Sequence, residues 1–412
     1  MDQQPSDYSN QPMPNWPRKL RILVFYPNEG GCAYYRSLLP NRKLLEHHSD
    51  LVEIRFNDNP LGVDREKSVI PEGFDFPDIK WADVVLVNNI SNFGGPYTAQ
   101  VVARALEFKK FVHFDTDDLL TDLYPEHRLY ETYRDNKLGD ITKFIYGNSH
   151  LVTVTQRKFA ERISPYCGKI LAIVKNCIDY NLPTWNHEKV LHPKKVHVGW
   201  AGGIHHRPDV VEFASVPHLV NQKVGREKVF WDFYGLPRIA PDNEKDQWQV
   251  EAWQEYKKAL LRGFKGQPNW AIHHARPPDD YGAFYSNMDI AIAPLQMNQF
   301  NDSKSEIKVA ECGRYKVPLV ASNVGCYDET IINGQTGYLI DPDASKIVWV
   351  RTLSNLVKNP KKIREMGENL HYITEKYFDI NKVVGARLKL YESCFRELGM
   401  NVFQEEEKTE DE

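Results

Sequence analysis

The stretch DVVLVNNISNFGGPYTAQVVARALEFKKFVHFD, residues 83–115, decides the fold class. It opens with the apolar run DVVLVNN (83–89), continues with a helical pattern over 98–110 and closes with the apolar run KFVHFD (110–115). Short runs of apolar and β-branched residues are typical of strands buried in a parallel sheet. A strand, a helix and a second strand in this order predict a βαβ unit.

The same pattern extends along the chain in both directions. Further apolar runs of this kind occupy residues 21–27, 151–156, 169–176, 196–203, 229–235, 270–275, 289–295, 318–323 and 337–340. The segment NLPTWNHEKVLHPKK (181–195) divides the runs into two sets; it holds two prolines and little apolar periodicity, so it is the best linker candidate. The sequence therefore predicts two doubly wound α/β domains, with ligands bound beyond the carboxyl ends of the strands in the cleft between the domains.

The predicted boundaries follow from this division. They are a disordered tail over 1–18, a first domain over 19–185, a second domain over 186–380, a final helix over 381–402 and an acidic tail over 403–412.

Composition excludes several classes of protein. Of the 412 residues 12% are aromatic, which is ample for hydrophobic cores. The 52 basic and 56 acidic side chains give a net charge of −4, so the overall charge does not indicate non-specific nucleic-acid binding. Six scattered cysteines without a CxxC pair indicate reduced thiols in a cytosolic protein. No apolar run approaches membrane-spanning length, so we expect no membrane span and a cytoplasmic location.

A carboxylate cluster follows one strand of the first domain, in FDTDDLLTD (114–122). Asp115, Asp117 and Asp118 would crowd the carboxyl edge of the sheet, where active sites of such folds lie. There they could bind a metal or an acceptor hydroxyl, or act as a base, which makes them the candidate catalytic residues. The alternative is that Asp117 or Asp118 only caps the next helix.

Two glycine pairs follow predicted strands, one pair in each domain. Gly30 and Gly31 come after the first strand, and either form a functional loop that admits a phosphate or a plain tight turn. In the second domain VGWAGGIHHRPDV (198–210) predicts an anion site, in which Asp209 can cap or orient an imidazole; a solvated basic loop is the alternative. The candidate donor-binding residues of this loop are Gly202, Gly203, His206 and Arg207.

The segment FNDSKSEIKVAECGRYKVPLVAS (300–322) carries the strongest functional pattern. A helix predicted from Ser303 to Tyr315 places Lys304, Lys308 and Glu311 on one face. Two cations and one carboxylate suit a ligand with phosphates at one end and vicinal hydroxyls at the other. The alternative, a charged solvent-facing helix, is disfavoured because PLVAS follows as a buried strand.

These residues carry a resemblance to a known family. Lys304, Ser305, Lys308 and Glu311, followed by KVPLVAS (316–322), are similar to the donor-site signature of retaining family 4 (group 1) glycosyltransferases, which have the GT-B architecture of two facing Rossmann-like domains. The resemblance spans about residues 20–395. It implies that Glu311 binds the donor ribose and Lys308 the diphosphate. The family's first signature glutamate would fall at Ser303, with Glu306 or Asp302 as substitutes.

The resemblance implies a glycosyltransferase that moves a sugar from a nucleoside diphosphate sugar, a UDP-sugar above all, to an acceptor held by the first domain, with retention and without a metal or other cofactor. Three alternatives stay open. One is a phage-type glycosyltransferase that modifies DNA bases, with a basic first-domain surface that includes Arg36. Another is a sugar-nucleotide epimerase or phosphorylase of the same fold, and the third is a non-catalytic nucleotide-binding module.

Overall fold

The computed structural model describes residues 11–64, 69–90, 94–127, 129–203, 206–238, 247–264 and 268–403, the side chains of Arg207 and Glu212 apart. Contacts divide the chain into two compact units. Unit 1 comprises the residues up to Asp122, Thr132–Asn176 and the residues from Ile380 onward; unit 2 comprises Leu123–Glu131 and Cys177–Asp379. Residues 1–10 and 404–412, which make up much of the two predicted tails, lie outside the described residues.

Unit 1 is built on a six-stranded parallel sheet in the order β2-β1-β3-β4-β5-β6. The strands are β1 (Leu20–Phe25), β2 (Val52–Asn57), β3 (Val84–Asn88), β4 (Phe111–Asp115), β5 (Leu151–Val154) and β6 (Ile170–Ile173). The helices are α1 (Gly31–Ala33), a π-helix (Tyr34–Leu38), α2 (Leu39–His47), α3 (Pro77–Trp81), α4 (Gly95–Glu107), α5 (Tyr130–Asp135), α6 (Leu138–Asn148), α7 (Arg157–Ile163) and a 3₁₀ turn (Ser164–Tyr166), and after unit 2 in the chain α15 (Ile380–Val383) and α16 (Ala386–Leu398).

The βαβ unit predicted over 83–115 is confirmed as β3, α4 and β4. All five residues of β3 and all five of β4 are buried, as expected of central strands with both faces covered. Gly94, with φ +93°, makes the turn into α4, a backbone conformation that residues with a side chain rarely adopt. Pro96 in the first turn then fits the helix start, where its missing N–H is not needed.

Unit 2 repeats this plan with a second parallel sheet, in the order β12-β11-β10-β7-β8-β9. Its strands are β7 (Val196–Ala201), β8 (Val229–Leu236), β9 (Trp270–His274), β10 (Ile290–Ala293), β11 (Leu319–Ser322) and β12 (Gly337–Ile340). Its helices are α8 (Arg207–Phe213), α9 (Val216–Val224), α10 (Gln247–Leu260), α11 (Ala283–Ser286), α12 (Ile307–Arg314), α13 (Lys346–Val357) and α14 (Pro360–Tyr377), with 3₁₀ turns at Pro183–Trp185, Asn301–Ser303 and Tyr327–Glu329. Both sheets are parallel and carry helices between strands, so the prediction of two Rossmann-like domains is confirmed.

Two element predictions are wrong. The sequence patterns missed β2, an edge strand in which the exposed Glu53 and Arg55 alternate with buried or partly buried residues. The carboxylate cluster follows β4, the fourth strand of unit 1. The final helix expected over 381–402 is broken into α15 and α16 between Val383 and Ala386, and α16 ends at Leu398. None of the six cysteines, all among the described residues, forms a disulfide bond. No helix of the described part of the chain is long and apolar enough to cross a membrane.

Candidate functional site

The functional segment before α12 is not helical where the sequence pattern predicted it. Residues Asn301–Ser303 form a 3₁₀ turn, Lys304 is extended with φ −70° and ψ 150°, and α12 begins only at Ile307. The Asp302 carboxylate accepts a hydrogen bond from the Gly325 amide at 3.0 Å, which ties the turn to the loop after β11 and stops a continuous helix. Lys304 and Ser305 therefore lie on the connection to α12, and Lys304 does not share a helix face with Lys308 and Glu311.

Lys308 and Glu311 on α12 are held by partners from other elements. The Lys308 ammonium donates to the carbonyl of Ala201, the last residue of β7. The Tyr285 hydroxyl at α11 donates to Glu311 Oε2 at 2.5 Å, and Glu311 is only 3% exposed. Burial lowers the pKa of Lys308 and raises that of Glu311. Both charges are thus kept in surroundings that disfavour them, as is typical of functional sites.

Gly313 explains why α12 can sit close to α14. A Cβ atom placed on Gly313 would lie 2.2 Å from the Thr374 hydroxyl oxygen, so only glycine allows this approach. The Arg314 guanidinium at the end of α12 donates to the Trp185 carbonyl at 2.8 Å and pairs with Glu375 at 3.0 Å. These contacts fix the helix that carries Lys308 and Glu311.

His206 lies next to these groups, at the loop that follows β7. Its Nδ1 is 2.8 Å from Oδ2 of Asp209, which is 3% exposed. The other carboxylate oxygen of Asp209 accepts from the Gln296 amide at 2.8 Å and from the Asn301 side-chain amide at 2.9 Å. The orienting role predicted for Asp209 is therefore seen in its contacts.

The remaining predicted donor residues are placed unevenly. Gly202 is buried and its amide donates to the Tyr234 carbonyl at 3.1 Å, so this amide is already used; Gly203 is exposed. Arg207 begins α8, and its side chain lies outside the described residues. Gly30 and Gly31 belong to unit 1, whereas the other candidates belong to unit 2. The Gly30 amide donates a hydrogen bond to Asn28 Oδ1 at 2.7 Å, so this amide is also already used.

The positions suggested for the family's first signature glutamate are all buried. Ser303 is fully buried and its hydroxyl donates to the Gln299 carbonyl at 2.8 Å. Glu306 is 1% exposed and accepts a hydrogen bond from the Cys326 thiol, and Asp302 holds the Gly325 amide. Each of these side chains thus stabilises the segment from within.

Sequence reasoning missed an aromatic group beside this site. The segment Leu123–Glu131 belongs to unit 2, and there the rings of Tyr124 and His127 lie 6.3 Å and 4.6 Å from the ring of Phe300. The Lys304 ammonium lies 4.4 Å from the centre of the Phe300 ring, a cation–π contact. No local pattern links residues so far apart in the chain, so only the fold brings them together.

A cavity of about 300 Å³ opens at the carboxyl ends of β10, β11 and β12. Asp209 forms part of its wall, which places the cavity next to His206. Its lining residues are Asp209, Phe213, Pro294, Leu295, Ser322, Pro342, Ala344, Ser345, Lys346 and Trp349.

In unit 1, Asp115 ends β4 and is fully buried in an ion pair. Arg36 donates to both oxygens of its carboxylate, from Nε at 3.1 Å and from Nη2, and the Thr153 hydroxyl donates to Oδ1 as well. Burial alone would raise the pKa of Asp115, but the Arg36 and Arg387 charges outweigh it, so the pKa is lowered. The Asp115 carboxylate is thus held by residues of the fold, and Asp117 and Asp118 are left as the candidates for contact with an acceptor.

Asp117 differs from Asp115 in the direction of its pKa shift. Burial, with the Asp118 charge next in size, raises the pKa of Asp117 to about 6. The Asn89 amide lies 3.4 Å from Asp117 Oδ1, and the Cys32 thiol lies 3.8 Å from Asp118 Oδ2. Cys32, Asp117 and Asp118 offer ligand atoms within 4.8 Å of one another, which is the arrangement among the described residues that could hold a metal ion.

One family model matches part of the second unit. Residues 251–371 match the family model described as glycosyl transferases group 1, a range that includes Lys304, Lys308 and Glu311. No curated protein matches the sequence.

Solved structures show the same fold at low sequence identity. Sucrose-phosphate synthase from Thermosynechococcus elongatus is 14% identical, with a TM-score of 0.65 over 92% of this chain and 100% of its own. HepE of Anabaena with UDP-glucose is 15% identical, with a TM-score of 0.58 over 91% and 99%. A glycosyltransferase from Rickettsia africae is 13% identical, with a TM-score of 0.56 over 92% and 99%. Residues 251–371 therefore match a group 1 glycosyl transferase domain, and the chain as a whole shares its fold with these solved structures.

Proposed function

We propose that the protein transfers a sugar, with retention at the anomeric carbon, from a nucleoside diphosphate sugar bound by unit 2 to an acceptor that Asp117 or Asp118 of unit 1 orients. UDP is the first nucleotide to test, because HepE, a protein of the same fold, was determined with UDP-glucose. His206, Lys304 and Lys308 would bind the diphosphate, and Glu311 the ribose hydroxyls.

The observation that carries the proposal is the state of Lys308 and Glu311. Among the described contacts they form no ion pair with each other: Lys308 donates to the Ala201 carbonyl, and Glu311 accepts from Tyr285. Lys304 and Lys308 both lie close enough to His206 to lower its pKa, so three potential cations gather at one edge of the sheet. Positive charge gathered at this edge is stabilised when a diphosphate binds.

The chemistry asked of these groups is electrostatic. Cleavage of the bond between the anomeric carbon and the diphosphate oxygen leaves negative charge on the diphosphate. Cations fixed before the reaction stabilise that charge without reorganisation, which is often the largest contribution an enzyme makes. On the acceptor side, Asp117 has a pKa of about 6, so it is ionised at neutral pH and able to accept a hydrogen bond from an acceptor hydroxyl.

The test is the double change Lys304→Ala and Lys308→Ala, measured with UDP-, GDP- and ADP-sugars. We expect donor hydrolysis to fall at least 100-fold, because each donor to a leaving group supplies ~3 kcal/mol of barrier lowering. The melting temperature should fall far less. The matched control is Lys316→Ala, whose exposed ammonium pairs with Glu368 at 2.9 Å and which should hydrolyse donor at the wild-type rate.

Two results would contradict the proposal. Equal and small losses of turnover and stability in the double variant would return these lysines to an ordinary charged surface. Binding of a nucleotide sugar without any turnover, with or without a candidate acceptor, would instead identify a non-catalytic nucleotide-binding protein.

A further inference from the structure

Asp209 on α8 is a buried carboxylate whose two oxygens have different hydrogen-bond partners. Oδ1 accepts from the Gln296 amide and from the Asn301 side chain, and Oδ2 lies 2.8 Å from His206 Nδ1. An ionised carboxylate only accepts hydrogen bonds, so the short contact requires a hydrogen on Nδ1 of His206. Asp209 therefore selects the form of the imidazole.

The selected form cannot bind a diphosphate while it is neutral. When Nδ1 carries the hydrogen of a neutral imidazole, Nε2 is an acceptor. The bridging and ionised oxygens of a bound nucleoside diphosphate are acceptors too, and two acceptors do not hydrogen-bond. His206 can donate to a diphosphate from Nε2 only after it has gained a second proton.

Resting on the proposed function, we infer that His206 takes up a proton from solvent when the nucleoside diphosphate moiety binds, and returns it when the nucleoside diphosphate leaves. Asp209 is the positioning residue of this step, because it holds Nδ1–H and faces the imidazolium with a negative charge. The bond to the anomeric carbon breaks with both electrons moving to the diphosphate oxygen, while the added proton stays on Nε2 and donates to the diphosphate.

The groups around His206 support this change of charge. Asp209 faces it from α8, and the Trp200 ring of β7 meets it edge-on at 6.2 Å. Lys304 acts on it from the segment that leads into α12, and Lys308 from α12 itself. Burial lowers the pKa of His206 and the two lysines lower it further, against the opposing hydrogen bond to Asp209. A bound diphosphate offsets the lysine charges, which removes part of the force that keeps the imidazole neutral.

The measurement is calorimetric titration of the protein with UDP at pH 7 in buffers of different ionisation enthalpy, with GDP and ADP as further probes. The dependence of the observed enthalpy on the buffer gives the number of protons taken up. We expect wild type to take up about one proton more per nucleotide than His206→Gln, since linked binding and protonation occur together. Protonation of the nucleotide's own phosphate contributes to both proteins and cancels in the difference.

Two further variants sharpen the result. Asp209→Asn should lower the proton uptake by at least half, since the amide leaves the imidazolium without a counter-charge; unchanged uptake would overturn the positioning role. His218→Gln on α9 is the control, and it should take up protons as wild type does. The ratio of the nucleotide affinity of wild type to that of His206→Gln should also fall with rising pH.

The outcomes separate this inference from the proposed function. If a nucleotide binds with the same proton stoichiometry to wild type and to His206→Gln, proton uptake by His206 is overturned and nucleotide binding stands. If UDP, GDP and ADP all fail to bind, both the inference and the proposed function are overturned.

Discussion

Asp115 in unit 1 and Glu311 in unit 2 are both buried carboxylates beside a parallel sheet, yet the protein treats them in opposite ways. Arg36 and Thr153 bind Asp115, and the arginine charges hold its pKa low. Glu311 receives a tyrosine hydroxyl and no bound cation among the described contacts, and burial raises its pKa. A carboxylate compensated within the fold stabilises that fold, whereas one left partly uncompensated is available to a ligand.

The largest expected effect comes from Asp115→Asn. An amide cannot replace the ionised partner of Arg36, so a buried guanidinium loses its counter-charge, which costs ~3–5 kcal/mol of unfolding free energy. Hydrogen exchange of the β4 amides measures this loss. Glu161→Gln is the control, because the Arg157–Glu161 pair is exposed and should change stability little.

The pH dependence gives a second check on Asp115. The folded protein has the lower pKa, so the stabilisation is present above the carboxyl's unfolded pKa and is lost as pH falls through the folded value. The difference between wild type and Asp115→Asn should therefore shrink on acidification. An equally stable variant at neutral pH would remove the distinction between the two carboxylates.

Replacement of the other carboxylate, Glu311, by its amide should affect ligand binding more than stability. Glu311→Gln removes a charge-assisted contact to the ribose hydroxyls, so we expect donor binding to weaken by about 1.5–3 kcal/mol in calorimetry. Stability at pH 7 should hold or rise, because a group whose folded pKa is raised costs stability when it is ionised.

Tyr285→Phe provides the comparison for that variant. It removes the hydrogen bond to Glu311 and leaves the carboxylate in place, so it should weaken donor binding less than Glu311→Gln does. Unchanged donor affinity in Glu311→Gln would show that this carboxylate belongs with Asp115 among the structural ones.

The sequence predicted eleven of the twelve strands, because each of them leaves a short apolar run. It missed β2, since the charged residues Glu53 and Arg55 interrupt its apolar residues. Lys308 and Glu311 were found through their spacing in one segment. The sequence placed Arg36 on a basic surface, whereas the structure buries it fully beside Asp115. Asp115 lies 79 residues along the chain, so no local pattern records this contact.

The start of α12 shows the same limit at short range. Lys304, Lys308 and Glu311 have helical spacing, and spacing alone predicted one continuous helix. The bond between Asp302 and the Gly325 amide, 23 residues along the chain, holds the preceding turn instead. Tyr124 and His127 beside Phe300 likewise depend on contacts across more than 170 residues, which the local sequence does not encode.

The smallest expected effect concerns Asp117, the carboxylate between these two extremes. Burial and Asp118 raise its pKa to about 6, which leaves it ionised at pH 7 and protonated below that value. If it orients the acceptor, kcat/KM should rise with pH through about 6, and Asp117→Asn should lose this limb while keeping donor affinity. EDTA should leave both turnover and this rise of kcat/KM with pH unchanged.

A divalent ion held by Cys32, Asp117 and Asp118 would give a different pH profile. A cation favours the ionised carboxylate, so it would move the rise of kcat/KM to lower pH. Loss of activity in EDTA with recovery on adding Mg²⁺ or Mn²⁺ would therefore make Asp117 a metal ligand, compensated like Asp115 but by an ion.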